Sequence, residues 1–245
     1  GVPDIALGNI IGSNIANILL IVGLTSLIWP IRVSGATLQR DTFVMTAATL
    51  VLVPVFLSGY LERFTGFVLV SALLTYLIWA YRNPGVDMPQ TPETSSPASV
   101  PVSSMWVVAG LALVMLGARF LVDGSVSIAR GLGVSEAFIG LTIVAVGTSL
   151  PELATSVIAA IRRQSEIAIG NVIGSNIFNV LGILGVTALI TPVPVAHRFL
   201  VFDLPVMVAL SLVLTGLLLT RAVVGRWIGA MFLAGYAGYI WAAQG

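Results

Sequence analysis

Charge is what this sequence lacks most. Only 9% of its 245 residues are charged, whereas soluble domains carry about 25%. Too few charged side chains remain to cover a surface that faces water, and 58% of the residues are hydrophobic. The composition therefore predicts an all-α integral membrane protein, because lipid needs no polar coat and requires backbone groups to be paired within helices.

Cysteine and lysine are also absent, and His197 is the single histidine. Disulfides and thiolate metal sites are therefore excluded, as is a zinc site built from several histidines. The net charge of +1 gives no reason to expect nucleic acid as a partner. No Ser/His, paired-acid or HExxH arrangement is present, so we expect neither an enzyme nor a cofactor.

Apolar runs of about 20 residues can cross the roughly 30 Å hydrocarbon core of a bilayer. About eight such runs occur, and each is predicted to be a transmembrane helix. They cover residues 5–29, 42–61, 64–81, 105–122, 137–161, 167–190, 199–220 and 224–243. The stretch 82–104 is rich in Pro, Ser and Thr, which predicts a flexible linker between two halves.

An internal repeat relates the two halves. Residues 4–33 read DIALGNIIGSNIANILLIVGLTSLIWPIRV, and residues 166–195 read EIAIGNVIGSNIFNVLGILGVTALITPVPV. Gly, Ser and Asn match in register, which apolar composition alone does not produce. The second copy starts five predicted spans after the first, and an odd number of crossings reverses direction. This arrangement predicts an inverted-topology repeat, which is typical of secondary transporters.

Arginine placement predicts the orientation of the chain in the membrane. More Arg residues flank the side that carries the 82–104 linker than the opposite side. Because cytoplasmic loops are enriched in basic residues, we predict a multi-pass protein of the cell (inner) membrane with a cytoplasmic linker.

Glu152 is the residue that most strongly indicates function. It lies about half-way through the predicted span 137–161, where a carboxylate costs at least ~2.5–3.5 kcal/mol and by default marks a functional site. Pro151 and the preceding Gly147, Thr148 and Ser149 should interrupt this helix and free backbone carbonyls. Uncovered carbonyls at that depth require a polar cavity.

Two polar stripes supply further oxygen atoms. Each copy of the repeat places polar residues four positions apart on one helix face: Asn9, Ser13 and Asn17, and Asn171, Ser175 and Asn179. Single polar residues in membrane helices commonly do no more than bond a neighbouring helix. Two stripes in one register, together with Glu152, favour an all-oxygen site that suits Ca²⁺ and Na⁺.

The motifs GNIIGSNIAN, GTSLPEL and GNVIGSNIFN resemble those of the sodium/calcium exchanger family, within the cation/calcium antiporter superfamily and closest to its prokaryotic type. The resemblance implies ten helices in two inverted halves. Residues 1–81 would be the second part of the first repeat, and residues 105–245 the complete second repeat. The implied cation ligands are Glu152, Thr148, Ser149, the carbonyl of Ala145, Ser175, Asn179, Ser13 and Asn17.

The resemblance also implies the activity, which is exchange of Ca²⁺ for Na⁺ by alternating access. A proton/calcium antiporter is the main alternative, because Asn stands at both 17 and 179, where some sodium/calcium exchangers have Asp in one repeat. A passive channel, a structural membrane protein and a non-transporting fragment are further alternatives. Stoichiometry, oligomeric state and protein partners stay open.

The family's first acidic helix has no match here, which implies a chain truncated at its N-terminus. We therefore expect this chain alone to be inactive. We also expect its Ser13, Asn17 and Ser175 to be exposed to lipid or water.

Overall fold

Helices dominate the computed structural model, which describes residues 2–32, 36–83, 100–134, 136–220 and 223–243. Within these ranges the helices are α1 (2–28), α2 (Ala36–Leu57), α3 (Arg63–Arg82), α4 (Val100–Gly131), α5 (136–148), α6 (Leu150–Ile161), α7 (Ser165–Ile190), α8 (Phe199–Leu219) and α9 (Arg226–Ala242). Two short strands, β1 (Tyr60–Leu61) and β2 (Val193–Pro194), pair antiparallel. The predicted all-α class is confirmed.

Six of the described helices are long and apolar enough to cross a bilayer, and the bent pair α5–α6 makes a seventh if it is one span. The remaining span predicted from the sequence, 224–243, corresponds to α9. This helix has 17 residues, which is at the short end of the length range for a transmembrane helix.

The prediction of helix through residue 61 is wrong. Helix α2 ends at Leu57, and the chain turns at Gly59, whose φ of 76° favours glycine. The next residues leave the helix to form β1, which pairs with β2 ahead of α8. The connection between α2 and α3 is therefore tied to the connection between α7 and α8 in the second half of the chain.

Helix α4 is longer than the predicted span 105–122 at both ends. It begins at Val100, so residues 100–104 of the expected linker are helical, while residues 84–99 lie outside the described residues. Pro101 does not prevent this start, because proline is tolerated in the first turn of a helix. Beyond Val122 the helix continues to Gly131, and the exposed pair Arg119–Asp123 lies one turn apart on its surface.

Helix α1 is the most enclosed of the candidate spans, and α4 is the least. Helix α1 packs along α5, and the approach is so close that only glycine fits at position 12. A Cβ at Gly12 would lie 2.5 Å from the carbonyl oxygen of Leu141. This contact brings the polar stripe of α1 against the broken helix that carries Glu152.

Equivalent positions of the repeat make equivalent helix crossings. A Cβ at Gly229 of α9 would lie 2.7 Å from the carbonyl oxygen of Gly23 in α1, and a Cβ at Gly66 of α3 would lie 2.6 Å from that of Gly185 in α7. Gly66 and Gly229 are each the fourth residue of their helix. Helices α2 and α8 also pack together, and Thr46 Oγ1 and Thr215 Oγ1 lie 2.6 Å apart where they meet.

Candidate cation-binding site

The break between α5 and α6 lies at Ser149, where the two helices bend by 54°. Pro151 stands in the first turn of α6, so its missing N–H leaves no carbonyl unpaired within that helix. The backbone N–H of Ser149 closes the end of α5 by donating to the carbonyl oxygen of Ala145 at 3.1 Å. The predicted interruption therefore occurs, and it places Glu152 in the first turn of α6.

A cavity of about 420 Å³ opens beside the break. Its wall combines residues of α1, of the α5–α6 break and of α7. The lining residues are Asn9, Ser13, Thr148, Ser149, Glu152, Gly170, Asn171, Gly174, Ser175, Phe178, Asn179 and Ile183. Most of these side chains end in oxygen-bearing polar groups, which is the donor set that hard cations take.

Glu152 is the one ionisable residue in this wall. Its Oε2 atom is buried and has no hydrogen-bond partner among the described residues. No ion pair with a described residue is recorded for it either. Those residues also contain no group of three or more His, Cys, Asp or Glu side chains that could hold a metal ion. A half-buried carboxylate with one oxygen left without a partner needs a cation or a proton to balance its charge.

The hydroxyl groups on the α1 side are bonded to one another. Thr148 Oγ1 donates to Asn9 Oδ1 at 2.8 Å, and Ser13 Oγ lies 3.2 Å from Thr148 Oγ1. Ser13 Oγ also lies 3.3 Å from the carbonyl oxygen of Ala145. These contacts join α1 to the end of α5 and gather three side-chain oxygen atoms of the cavity wall near the carbonyl oxygen of Ala145.

On the α7 side, Asn171 holds the first turns of α6. Its Nδ2 donates to the backbone carbonyl of Glu152 and to Ser156 Oγ, both at 3.0 Å. Ser156 is fully buried and donates in turn to the carbonyl of Ala168 at 3.3 Å. The position of Glu152 is thus tied to α7 through main-chain and side-chain contacts.

Six of the eight predicted ligand residues line the cavity: Glu152, Thr148, Ser149, Ser175, Asn179 and Ser13. Ala145 does not line it, but its carbonyl faces the same hydroxyl groups. Asn17 also lies away from the wall. It is 1% exposed and donates from Nδ2 to Asn176 Oδ1 at 2.9 Å. A cation-binding role for any of these residues stays a prediction.

The expected exposure of Ser13 and Asn17 is wrong. Both are buried, because α5 and α7 pack against α1 and cover them. Ser175, the third residue of that expectation, is half-buried at the cavity wall.

Sequence reasoning placed Asn9 and Asn171 on the polar stripes but did not include them among the ligands. Both line the cavity and make the contacts described above. It also missed the segments of π-helix, among them Asn17–Val22 in α1 and Phe178–Leu184 in α7. Wide π turns are frequent at functional sites. A signal was present, since both segments follow a GSN motif at equivalent positions of the repeat.

Comparison with known proteins decides the family. The sequence profile described as "Sodium/calcium exchanger protein" matches residues 1–82 and 102–244. The chain belongs to the sodium/calcium exchanger protein family. This membership makes it a transporter of the antiporter class rather than an enzyme, and a multi-pass membrane protein.

Individual members of the family match along nearly the whole chain. The sodium/calcium exchanger MaX1 of Methanosarcina acetivorans is 32% identical, and the alignment covers 96% of this chain and 79% of that protein. The inner membrane protein YrbG of Escherichia coli (strain K12) is 34% identical, with 98% of this chain and 77% of that protein covered.

A solved structure of the sodium-calcium exchanger NCX_Mj, soaked with Na⁺ and Sr²⁺, has the same fold. Its TM-score is 0.79 at 36% identity, over 98% of this chain and 77% of that one. The helices that enclose the cavity are therefore arranged as in a family member of known structure.

Proposed function

We propose that this protein exchanges Ca²⁺ for Na⁺ across the inner membrane by alternating access, with both ions bound in the cavity at the α5–α6 break. The observation that carries the proposal is Glu152, a carboxylate within a membrane span whose buried oxygen has no partner among the described residues. Hydroxyl and amide groups from three helices surround it. The names of two relatives, both sodium/calcium exchangers, agree with the proposed pair of ions.

The chemistry of the wall supports hard cations. Ca²⁺ takes six to eight oxygen ligands in flexible geometry, and the wall offers one carboxylate together with Ser, Thr and Asn side chains. Neutral oxygens of this kind also suit Na⁺. Glu152 alone balances the charge of one Na⁺ or half the charge of Ca²⁺, so the two ions compete for the same carboxylate.

Exchange follows from that competition. A cavity holding an unbalanced carboxylate is costly to close away from water, because a bare charge in low dielectric is strongly disfavoured. Binding of either cargo removes part of this cost. The cavity would therefore change its side of access with an ion bound and not while empty, which couples the movement of one ion to the return of the other.

The experiment is transport by the full-length protein in liposomes with an imposed sodium gradient. We expect calcium uptake that saturates with Ca²⁺ concentration and is lost, by at least about 100-fold, in Glu152→Gln, because this change keeps the shape of the side chain and removes its charge. The matched control is Glu62→Gln, at an exposed position between β1 and α3. Uptake by Glu152→Gln at the wild-type rate would refute the assignment.

The same liposomes separate the two counter-ions. Uptake that needs a pH gradient and ignores sodium would replace Na⁺ by H⁺ in the proposal. Uptake that runs down a calcium gradient without any counter-ion would indicate a passive pathway instead.

A further inference from the structure

Asn9 and Asn171 occupy the same position in the two copies of the repeat, and both contact the broken helix. They do so on opposite sides of the break. Asn9 contacts Thr148, the last residue of α5, and Asn171 contacts Glu152, in the first turn of α6. Neither asparagine is among the eight predicted cation ligands.

Asn9 acts through its oxygen. Its Oδ1 accepts from Thr148 Oγ1 at 2.8 Å, and Ser13 Oγ lies 3.4 Å from the same atom. A hydroxyl group carries one proton and two lone pairs. When Thr148 gives its proton to Asn9, its lone pairs are left for other partners, and Thr148 and Asn9 both face the cavity.

Asn171 acts through its nitrogen. The carbonyl oxygen of Glu152 can only accept, so the amide of Asn171 must present Nδ2 to it, at 3.0 Å. The same Nδ2 donates to Ser156 Oγ, one turn further along α6. Two contacts on successive turns fix the rotation of α6 about its axis, and this rotation determines where the Glu152 carboxylate points.

We propose that Asn9 and Asn171 are a pair of positioning residues that hold the two sides of the helix break, Asn9 as an acceptor for the hydroxyl groups of α5 and α1, and Asn171 as a donor to α6. The inference rests on the proposed function for its transport readout. The two equivalent asparagines thus use different atoms of the amide group, Oδ1 in Asn9 and Nδ2 in Asn171.

Substitution by aspartate tests this directly. Asp has the shape of Asn but only accepts, so it preserves the chemistry that Asn9 uses and removes the chemistry that Asn171 uses. Both variants add the same negative charge to the same cavity. If charge alone mattered, Asn9→Asp and Asn171→Asp would change the KM for Ca²⁺ equally.

We expect the KM of Asn171→Asp to exceed that of Asn9→Asp by about tenfold, which corresponds to about 1.4 kcal/mol, because Asp cannot donate to the Glu152 carbonyl. Maximal rates should stay within about twofold. Ser156→Ala, which removes one of the two acceptors of Asn171, should raise the KM by a smaller factor. Thr155→Ala is the matched control, because among the described residues this exposed hydroxyl on α6 bonds only within its own helix, to the carbonyl of Pro151. Equal KM values for the two Asp variants, or the reverse order, would overturn the proposal.

Amide hydrogen exchange over residues 150–161 tests the same claim without transport. Asn171→Leu should speed exchange in α6 relative to Thr155→Ala, with an unchanged far-ultraviolet circular dichroism spectrum to show that the chain is folded. Equal exchange in the two variants would overturn the positioning role even if the protein transports Ca²⁺. If exchange is faster in Asn171→Leu but the protein without substitutions transports neither ion, the positioning role stands and the proposed function is refuted.

Discussion

Asn17 and Asn179 stand at the same place in the two copies of the repeat, yet their surroundings differ. Asn179 lines the cavity, whereas Asn17 is buried between α1 and α7 and bonds Asn176. Asp41 and Asp203 are also equivalent in the two copies, and they too differ in their surroundings. Identical residues in a duplicated segment thus acquire different roles, because the helices packed around them are not the same.

The two aspartates give the largest expected contrast. Asp203 is fully buried, accepts from the Tyr239 hydroxyl at 3.0 Å and lies 3.4 Å from Arg198 Nε. Asp41 is partly exposed beside its neighbour Arg40. We expect Asp203→Asn to destabilise the protein by about 3 kcal/mol, since it removes the fully buried carboxylate that faces Arg198 and leaves that arginine only its bond to the carbonyl oxygen of Ala243 among the described residues.

For Asp41→Asn the expected loss is below about 1 kcal/mol, because the Asp41 side chain is 21% exposed whereas that of Asp203 is 0% exposed. The measurement is the midpoint of thermal unfolding in detergent for each variant. Equal shifts of the two midpoints would mean that the greater burial of Asp203 does not increase its contribution to stability.

Gly12 and Gly174 form a second matched pair. A Cβ at Gly12 would meet the backbone of Leu141, while nothing lies within 4 Å of the position that a Cβ would take at Gly174. We expect Gly12→Ala to cost about 1–3 kcal/mol through overpacking. Gly174→Ala should be neutral or stabilising by up to about 1 kcal/mol, because alanine favours helix.

Thermal unfolding of the two single variants checks this second prediction. Gly12→Ala with a wild-type midpoint would show that α1 and α5 can separate without cost.

The asparagines themselves give the smallest change in stability but a contrast in function. Asn17→Ala leaves Asn176 Oδ1 buried without its donor, so we expect a loss of about 1–2 kcal/mol in stability. Asn179→Ala should leave stability nearly unchanged and weaken the apparent affinity for Ca²⁺ in the liposome assay. A variant of Asn17 that lowers affinity at full stability would restore the ligand role that the sequence predicted for it.

The position of Glu152, the helix break and most of the polar residues that line the cavity could be predicted. A carboxylate and a proline are unfavourable inside an apolar helix, and such exceptions are expected at functional sites. The burial of Asn17 could not be predicted. An amide can donate or accept with any neighbour, and the neighbour comes from a helix more than 150 positions away in the chain. The end of α2 at Leu57 depended on Gly59 and on pairing with β2, which apolar composition does not reveal.

The paired glycine crossings also set an order of assembly. Helix α3 packs against the turn of α7 that contains Gly185, and α1 packs against the turn of α9 that contains Gly229. A ribosome delivers α3 to the membrane more than 100 residues before its partner has been synthesised. The helices synthesised first therefore stay in the lipid, singly or loosely associated, until the second half of the chain has been inserted. Two halves of the chain produced as separate polypeptides would each lack the surfaces against which their helices pack, and would be stable only together.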